Sequence, residues 1–240
     1  KKNIGAEVIL NIKNLSKKNL LIIKKALNEY GMLYFKRQKL SSKLYIKFAK
    51  NFGRIAKYPR LKGLSKKYSQ ITVVQRKVTD KGPSFGEQFH TDSIYTKQPP
   101  KFTMLFSKLV PKKGKANTEF SSQYIAYKYL DNQMKKKLHK IKGVYSSEGP
   151  ISATTKERVK EKGRKIKELK SSHKIIKKIN SKYSIYCSPG HFMGFTPKIK
   201  NENQFKKELF RHQVKKEFQY SLNWEKNQLT IWDNRSMLHQ

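Results

Sequence analysis

The run Phe89-His90-Thr91-Asp92 is answered far along the chain by His239, in Trp232-Asp233-Asn234-Arg235-Ser236-Met237-Leu238-His239. No other feature limits so strongly what this chain can fold into. On an extended strand, positions i and i+2 project from the same face. A strand through residues 89–92 therefore sets the His90 imidazole beside the Asp92 carboxylate and turns Thr91 away. A fold that lays a distant strand alongside adds His239. Two imidazoles and one carboxylate then occupy one face of an octahedron and leave three positions open. A bare His-x-Asp also occurs by chance, as a turn pair or a satisfied core histidine, so the flanking sequence has to carry the reading.

The flanks read as an α+β chain. Residues 6–12 (AEVILNI) predict a first strand. Ser16 is placed to cap a helix running to Tyr30, with Leu20, Ile23, Leu27 and Tyr30 on one face and Gly31 as its stop. Residues 32–35 follow as a short buried strand. Ser41 or Ser42 then opens a second helix carrying Leu44, Tyr45, Phe48 and Phe52, closed by Gly53. Residues 68–78 form a β-rich run that Thr79-Asp80-Lys81-Gly82-Pro83 punctuates. Residues 135–178 are lysine-rich with mixed charges, which predicts a solvated helix or mobile cover, an insertion or lid. A strand is expected at 185–187, a loop at 188–195, a helix at 201–218, and closing strands at 218–222 and 228–232. No repeat or linker divides the sequence, so residues 1–240 read as one domain. Short strands alone indicate only a β-rich sandwich or barrel.

Between residues 85 and 130 the order of motifs is more specific. His90 and Asp92 are followed by Pro99-Pro100, an apolar run 104–110, Pro111, Gly114, then Thr118-Glu119-Phe120 and Ala126-Tyr127-Lys128-Tyr129-Leu130. This order and spacing resembles the taurine dioxygenase (TauD/TfdA) family, and within it the branch acting on 2,4-dichlorophenoxyacetate. The helix-and-strand opening before it is similar to the same family. The resemblance implies a mainly β fold with flanking helices, a double-stranded β-helix or jelly roll. It implies Fe(II) held by His90, Asp92 and His239, with 2-oxoglutarate as cosubstrate and O2 as oxidant, yielding succinate and CO2 while a substrate C–H bond is hydroxylated. A triad suits that chemistry because a fourth protein ligand would block cosubstrate or oxygen. Thr118 matches the family hydroxyl that bonds a 2-oxoglutarate carboxylate; read locally, it is also a plausible capping hydroxyl. Phe89, His173 and His191 are the weaker candidates for substrate contacts. His139 and His212 read as surface or core residues, and Asp233 and Asn234 as groups that orient the site by hydrogen bonding.

Three departures from the family pattern stand out. Phe89 replaces the Trp that often precedes the first His. Gly86 stands where taurine enzymes carry a substrate-contacting Asn, which argues against taurine as substrate. The family also places an Arg about eleven residues after the distal His, to pair with 2-oxoglutarate. This sequence stops at Gln240, so either it is a fragment lacking the last strand, which is the favoured expectation, or the protein does not bind cosubstrate in the usual way.

Net charge, at +39, invites a nucleic-acid reading. Yet only eight of the 55 basic residues are Arg, the residue favoured for bidentate phosphate and base recognition, and the lysines are spread along the whole chain. A nucleic-acid partner is therefore not expected. The same field favours a small anionic organic substrate, a sulfonate or carboxylate, steered inward. No apolar run has the roughly 18 residues of a membrane span. With no apolar signal core at the start and Cys187 as the single cysteine, the reading is a cytoplasmic protein. A homo-oligomer stays open. The alternatives are a non-catalytic or hydrolytic metal-binding jelly roll, which would ignore O2, and a basic nucleic-acid-binding protein.

Overall fold

A computed structural model describes residues 3–58, 61–82, 84–112, 114–152 and 167–240. Among them the chain is mainly β, with twelve strands and five α-helices. One sheet runs in the order β1-β2-β11-β3, comprising Ala6–Glu7, Met32–Phe35, Leu229–Asp233 and Phe102–Phe106. Helix α1 (Lys17–Tyr30) begins where the Ser16 hydroxyl accepts the amide of Asn19 and ends at Gly31, whose φ of 72° needs the freedom of glycine. Helix α2 (Ser42–Lys50) is capped by Ser41 in the same way.

The period-2 alternation of the strands sorts their side chains into two layers. Leu33, Phe35, Leu229 and Ile231 face the helices and pack with Ile23, Leu27 and Phe48. Met32 and Trp232 face the other way and pack with Phe120, Leu222 and Met237. Phe120 and Leu222 belong to a second sheet, ordered β10-β4-β12 (Gln219–Leu222, Thr118–Ser122 and Met237–His239). A third sheet, β6-β5-β9 (Lys170–Lys174, Lys142–Ser146 and Phe192–Thr196), and the β7–β8 hairpin (Ile176–Ile179 and Lys182–Ile185) complete the strands. They share a core with helices α3 (Gln123–Lys128), α4 (Asn132–His139) and α5 (Glu202–Gln213), built on Tyr145, Ile175, Tyr186, Phe192 and Leu209. No helix among the described residues is long and apolar enough to cross a membrane.

Several sequence expectations need correction. Residues 6–12 do not form one strand. After Glu7 the backbone turns to the Gln38 side chain, which accepts the Ile12 amide at 3.1 Å and donates to the Leu10 carbonyl at 2.9 Å. The run 68–78 contributes only the isolated bridge between Gly63 and Thr72, and Val73, Val74 and Val78 are exposed. The stretch 135–178, expected as a cover, enters the core. β5 is the central strand of its sheet, and Leu138, Ile141, Tyr145 and Ile175 are buried, while Lys136, Lys137, Lys140, Lys142 and Lys174 are exposed. Residues 153–166 of that stretch lie outside the described residues. The 188–195 loop closes early as a 3-10 turn, Pro189–His191, leading into β9, and the last helix ends at Gln213, with a 3-10 turn at Lys216–Phe218.

Candidate metal centre

His90 sits in no regular strand. It makes a single antiparallel bridge to His239, with the His90 amide on the His239 carbonyl at 2.9 Å and the His239 amide on the His90 carbonyl at 3.1 Å. The chain then turns through Asp92 and Ser93, the latter at a φ of 50°. The Thr91 amide is held at 2.9 Å by the Ser188 hydroxyl. The expected convergence is thus achieved by a bridge and a turn rather than by a strand.

The Asp92 Oδ1 atom lies 3.6 Å from His90 Nε2 and 3.7 Å from His239 Nε2. One donor atom from each of the three residues fits within 4.8 Å of the others, a spacing that admits one metal ion. His90 Nδ1 donates to the Gln88 carbonyl at 2.7 Å, so its Nε2 presents a lone pair to the site. His239 is packed between the His90 ring at 4.2 Å, the Trp232 ring at 4.7 Å and the stacked Phe120 ring at 6.0 Å. Its Nδ1 is buried and has no hydrogen-bond partner among the described residues.

Both titrating partners are held in the state a metal requires. Burial, then the neighbouring His90, pushes the His239 pKa down to about 3, leaving a neutral imidazole. Burial raises the Asp92 carboxyl, but His239, His90 and the Thr103 hydroxyl outweigh it and hold it below the usual carboxylate range. In the metal-free protein the unfolded chain therefore binds more protons than the native one between pH 6.5 and about 3. Stability falls as pH drops through that window. We expect the unfolding free energy to be lower at pH 5 than at pH 7 by on the order of 2 kcal/mol from His239 alone. Urea titrations of the wild type and His239→Gln would check it, the variant losing that part of the pH slope.

Sequence reasoning missed Thr103. Its hydroxyl donates to Asp92 Oδ2 at 2.7 Å and accepts from Asn234 Nδ2 at 2.8 Å. Asn234 is fixed in turn by the Trp232 indole on its Oδ1 at 3.0 Å and by the Pro100 carbonyl at 3.2 Å. A polar residue inside the apolar run Phe102–Phe106, facing away from Phe102 and Met104, was the available signal. Asp233 does not reach the site; it is buried in an ion pair with Arg235 at 2.6 Å. Glycine at position 86 leaves room for the His90 ring: its φ is 84° and a Cβ there would stand 3.1 Å from His90 Cε1.

The remaining candidates divide. His191 is buried, edge-on to His90 at 6.0 Å and to Tyr95 at 4.9 Å, with Nδ1 on the Ser146 carbonyl at 3.3 Å. Phe89, half-buried, uses its carbonyl to accept the Gly190 amide. The His173 Nε2 atom bonds the carbonyls of Ile94 and Thr96 at 2.9 and 3.1 Å, which ties it to the turn after Asp92. Thr118 lies on β4 two positions from Phe120, on the same face, and accepts the Trp224 indole at 2.9 Å.

A model of the "Taurine catabolism dioxygenase TauD, TfdA family" matches residues 1–240. The chain is 24% identical over 235 residues to the alpha-ketoglutarate-dependent 2,4-dichlorophenoxyacetate dioxygenase of Cupriavidus pinatubonensis, covering 91% of this chain and 81% of that protein. Its fold is similar to that of a taurine dioxygenase from Burkholderia xenovorans, with a TM-score of 0.79 at 19% identity over 98% of this chain and 78% of the other. It is also similar to AAD-2, solved in complex with Mn(II) and N-oxalylglycine, with a TM-score of 0.76 at 20% identity over 100% of this chain and 87% of the other. The chain belongs to the TauD/TfdA family of alpha-ketoglutarate-dependent dioxygenases.

Proposed function

We propose that this protein is an Fe(II)- and 2-oxoglutarate-dependent dioxygenase that hydroxylates a small anionic substrate, with His90, Asp92 and His239 as the metal ligands. The observation that carries this reading is the 4.8 Å cluster of three donor atoms, two of them on histidines clasped by reciprocal backbone hydrogen bonds. When bound, Fe(II) with 2-oxoglutarate and O2 supplies oxidative decarboxylation to succinate and CO2, coupled to hydroxylation of a substrate C–H bond. His90 and His239 each offer Nε2, and Asp92 offers Oδ1 while Thr103 holds Oδ2. Thr118 is assigned to a 2-oxoglutarate carboxylate. Its oxygen already accepts the Trp224 indole, which leaves its own hydrogen to donate. His191 and Phe89 are assigned to the substrate side. His173, engaged with two carbonyls, is assigned to supporting the turn.

The proposal includes the double-stranded β-helix. The sheet holding Trp232 and the sheet holding Phe120 pack together, with these rings 5.4 Å apart. An acidic substrate suits a chain of net charge +39, and the C. pinatubonensis relative is named for a carboxylate.

Anaerobic titration with Fe(II) and then 2-oxoglutarate should produce a visible charge-transfer band, and a substrate screen should detect succinate release. No band, and consumption of neither O2 nor 2-oxoglutarate, would reject the reading in favour of a hydrolytic or non-catalytic metal site. Thr103→Val keeps the shape of the side chain but frees the Asp92 carboxylate from its hydrogen bond. Loss of such an orienting partner costs about 10–100-fold in metal affinity. We expect that drop in an anaerobic Fe(II) titration, with the fold unchanged by circular dichroism.

A further inference from the structure

The β7–β8 hairpin borders a cavity of about 560 Å³, separate from the metal ligands. Its lining includes Lys174, Lys177, Lys178 and Arg235 beside His139 and Tyr183 and, among the described residues, no carboxylate. Arg235 has a counter-ion, Asp233 at 2.6 Å. Lys177 has none among the described residues. Its ammonium is half-buried and lies 3.7 Å above the centroid of the Tyr186 ring. Burial, then the nearby Arg235, pushes its pKa down to about 8 despite the opposing charge of Asp233. Other lysines resolve their charge differently: Lys36 pairs with Glu225 at 2.7 Å and Lys170 with Glu168 at 3.0 Å.

The Tyr186 face offsets part of the cost of burying this ammonium, while the nearby guanidinium adds to it. A bound anion would offset that cost. Three lysines and an arginine lining one cavity suit a doubly charged oxyanion better than a single carboxylate. His139 and Tyr183, with ring centroids 5.4 Å apart, give the same cavity an aromatic wall. We propose that this cavity binds a small phosphate-bearing molecule, gripped by Lys177 with Lys174 and Lys178 around it and Arg235 alongside. The assignment is independent of the iron chemistry. It adds a second ligand site, whose hairpin is joined to Arg235 by the hydrogen bond from the Ser184 hydroxyl on β8 to the Arg235 carbonyl at 2.9 Å.

The test is calorimetric titration of the metal-free protein with inorganic phosphate, at an ionic strength held constant with chloride. Lys177→Met should weaken phosphate binding at least tenfold, while Lys200→Met, an exposed charge-matched control, should change it less than twofold. Equal losses in the two variants, or no saturable binding by the wild type, would overturn the proposal. Equal losses would mean that phosphate condenses diffusely on a basic surface. Should Lys177→Met not fold, wild-type protein treated with acetic anhydride at pH 8 decides the matter by peptide mass spectrometry. Phosphate should slow acetylation of Lys177 at least fivefold and leave Lys200 unaffected; equal acetylation with and without phosphate counts against the site.

Discussion

Substituting Ala for His90, Asp92 or His239 one at a time is expected to reduce Fe(II)-dependent succinate formation to background while leaving the far-ultraviolet circular dichroism unchanged. In the proposed site each residue contributes one of three protein donors, and the donor atoms all lie within 4.8 Å. A site with one of three ligands removed loses both affinity and the facial geometry that keeps open positions for cosubstrate and oxygen. The fold should survive because the backbone rung between residues 90 and 239 uses main-chain groups, which alanine retains. Succinate release coupled to substrate at the wild-type rate in any one of the three variants would remove that residue from the ligand set.

Trp232→Ala is expected to cost about 3–5 kcal/mol of stability, the range for removing a fully buried aromatic. Trp232 is 1% exposed and lies 5.4 Å from Phe120 and 4.7 Å from His239. It joins the two sheets and forms one wall of the imidazole's slot. Trp232→Phe retains most of the volume but withdraws the indole donor from Asn234. It should cost about 1–3 kcal/mol, because a buried acceptor is left unsatisfied. Urea denaturation checks both values. An alanine variant within about 1 kcal/mol of the wild type would mean that the layer between the sheets is not packed as described.

How much of this was legible in the sequence differs from element to element. Helix α1 was readable at both ends, because Ser16 and Gly31 are local chemical signals that tertiary packing did not override. The strand Met32–Phe35 was readable for its length and apolarity. Residues 6–12 were misread because their hydrogen-bond partner is a side chain, Gln38, more than twenty residues away. The run 68–78 has strand composition but forms no regular pairing, and β propensity describes a fit to neighbours rather than a property of the segment. Within 135–178 the lysine count hid a period-2 pattern, in which Gly143 and Tyr145 are buried while Lys142 is exposed. At the candidate site, the three donors were legible because their residue types and order are specific. Asn234 was legible as an orienting group, but its partner was not: Thr103 donates to Asp92 at 2.7 Å across 11 positions and accepts from Asn234 at 2.8 Å across 131, a proximity that only the folded chain creates.

The rung between His90 and His239 also sets the order of assembly. Main-chain bonds close it across most of the described sequence, and one imidazole of the pair arrives only with β12. Closing so large a span carries an entropic cost that native packing has to meet before both nitrogens face one another. The proposed metal ligands therefore come together only once the sheets have packed, so removing metal with a chelator is expected to leave the far-ultraviolet circular dichroism unchanged.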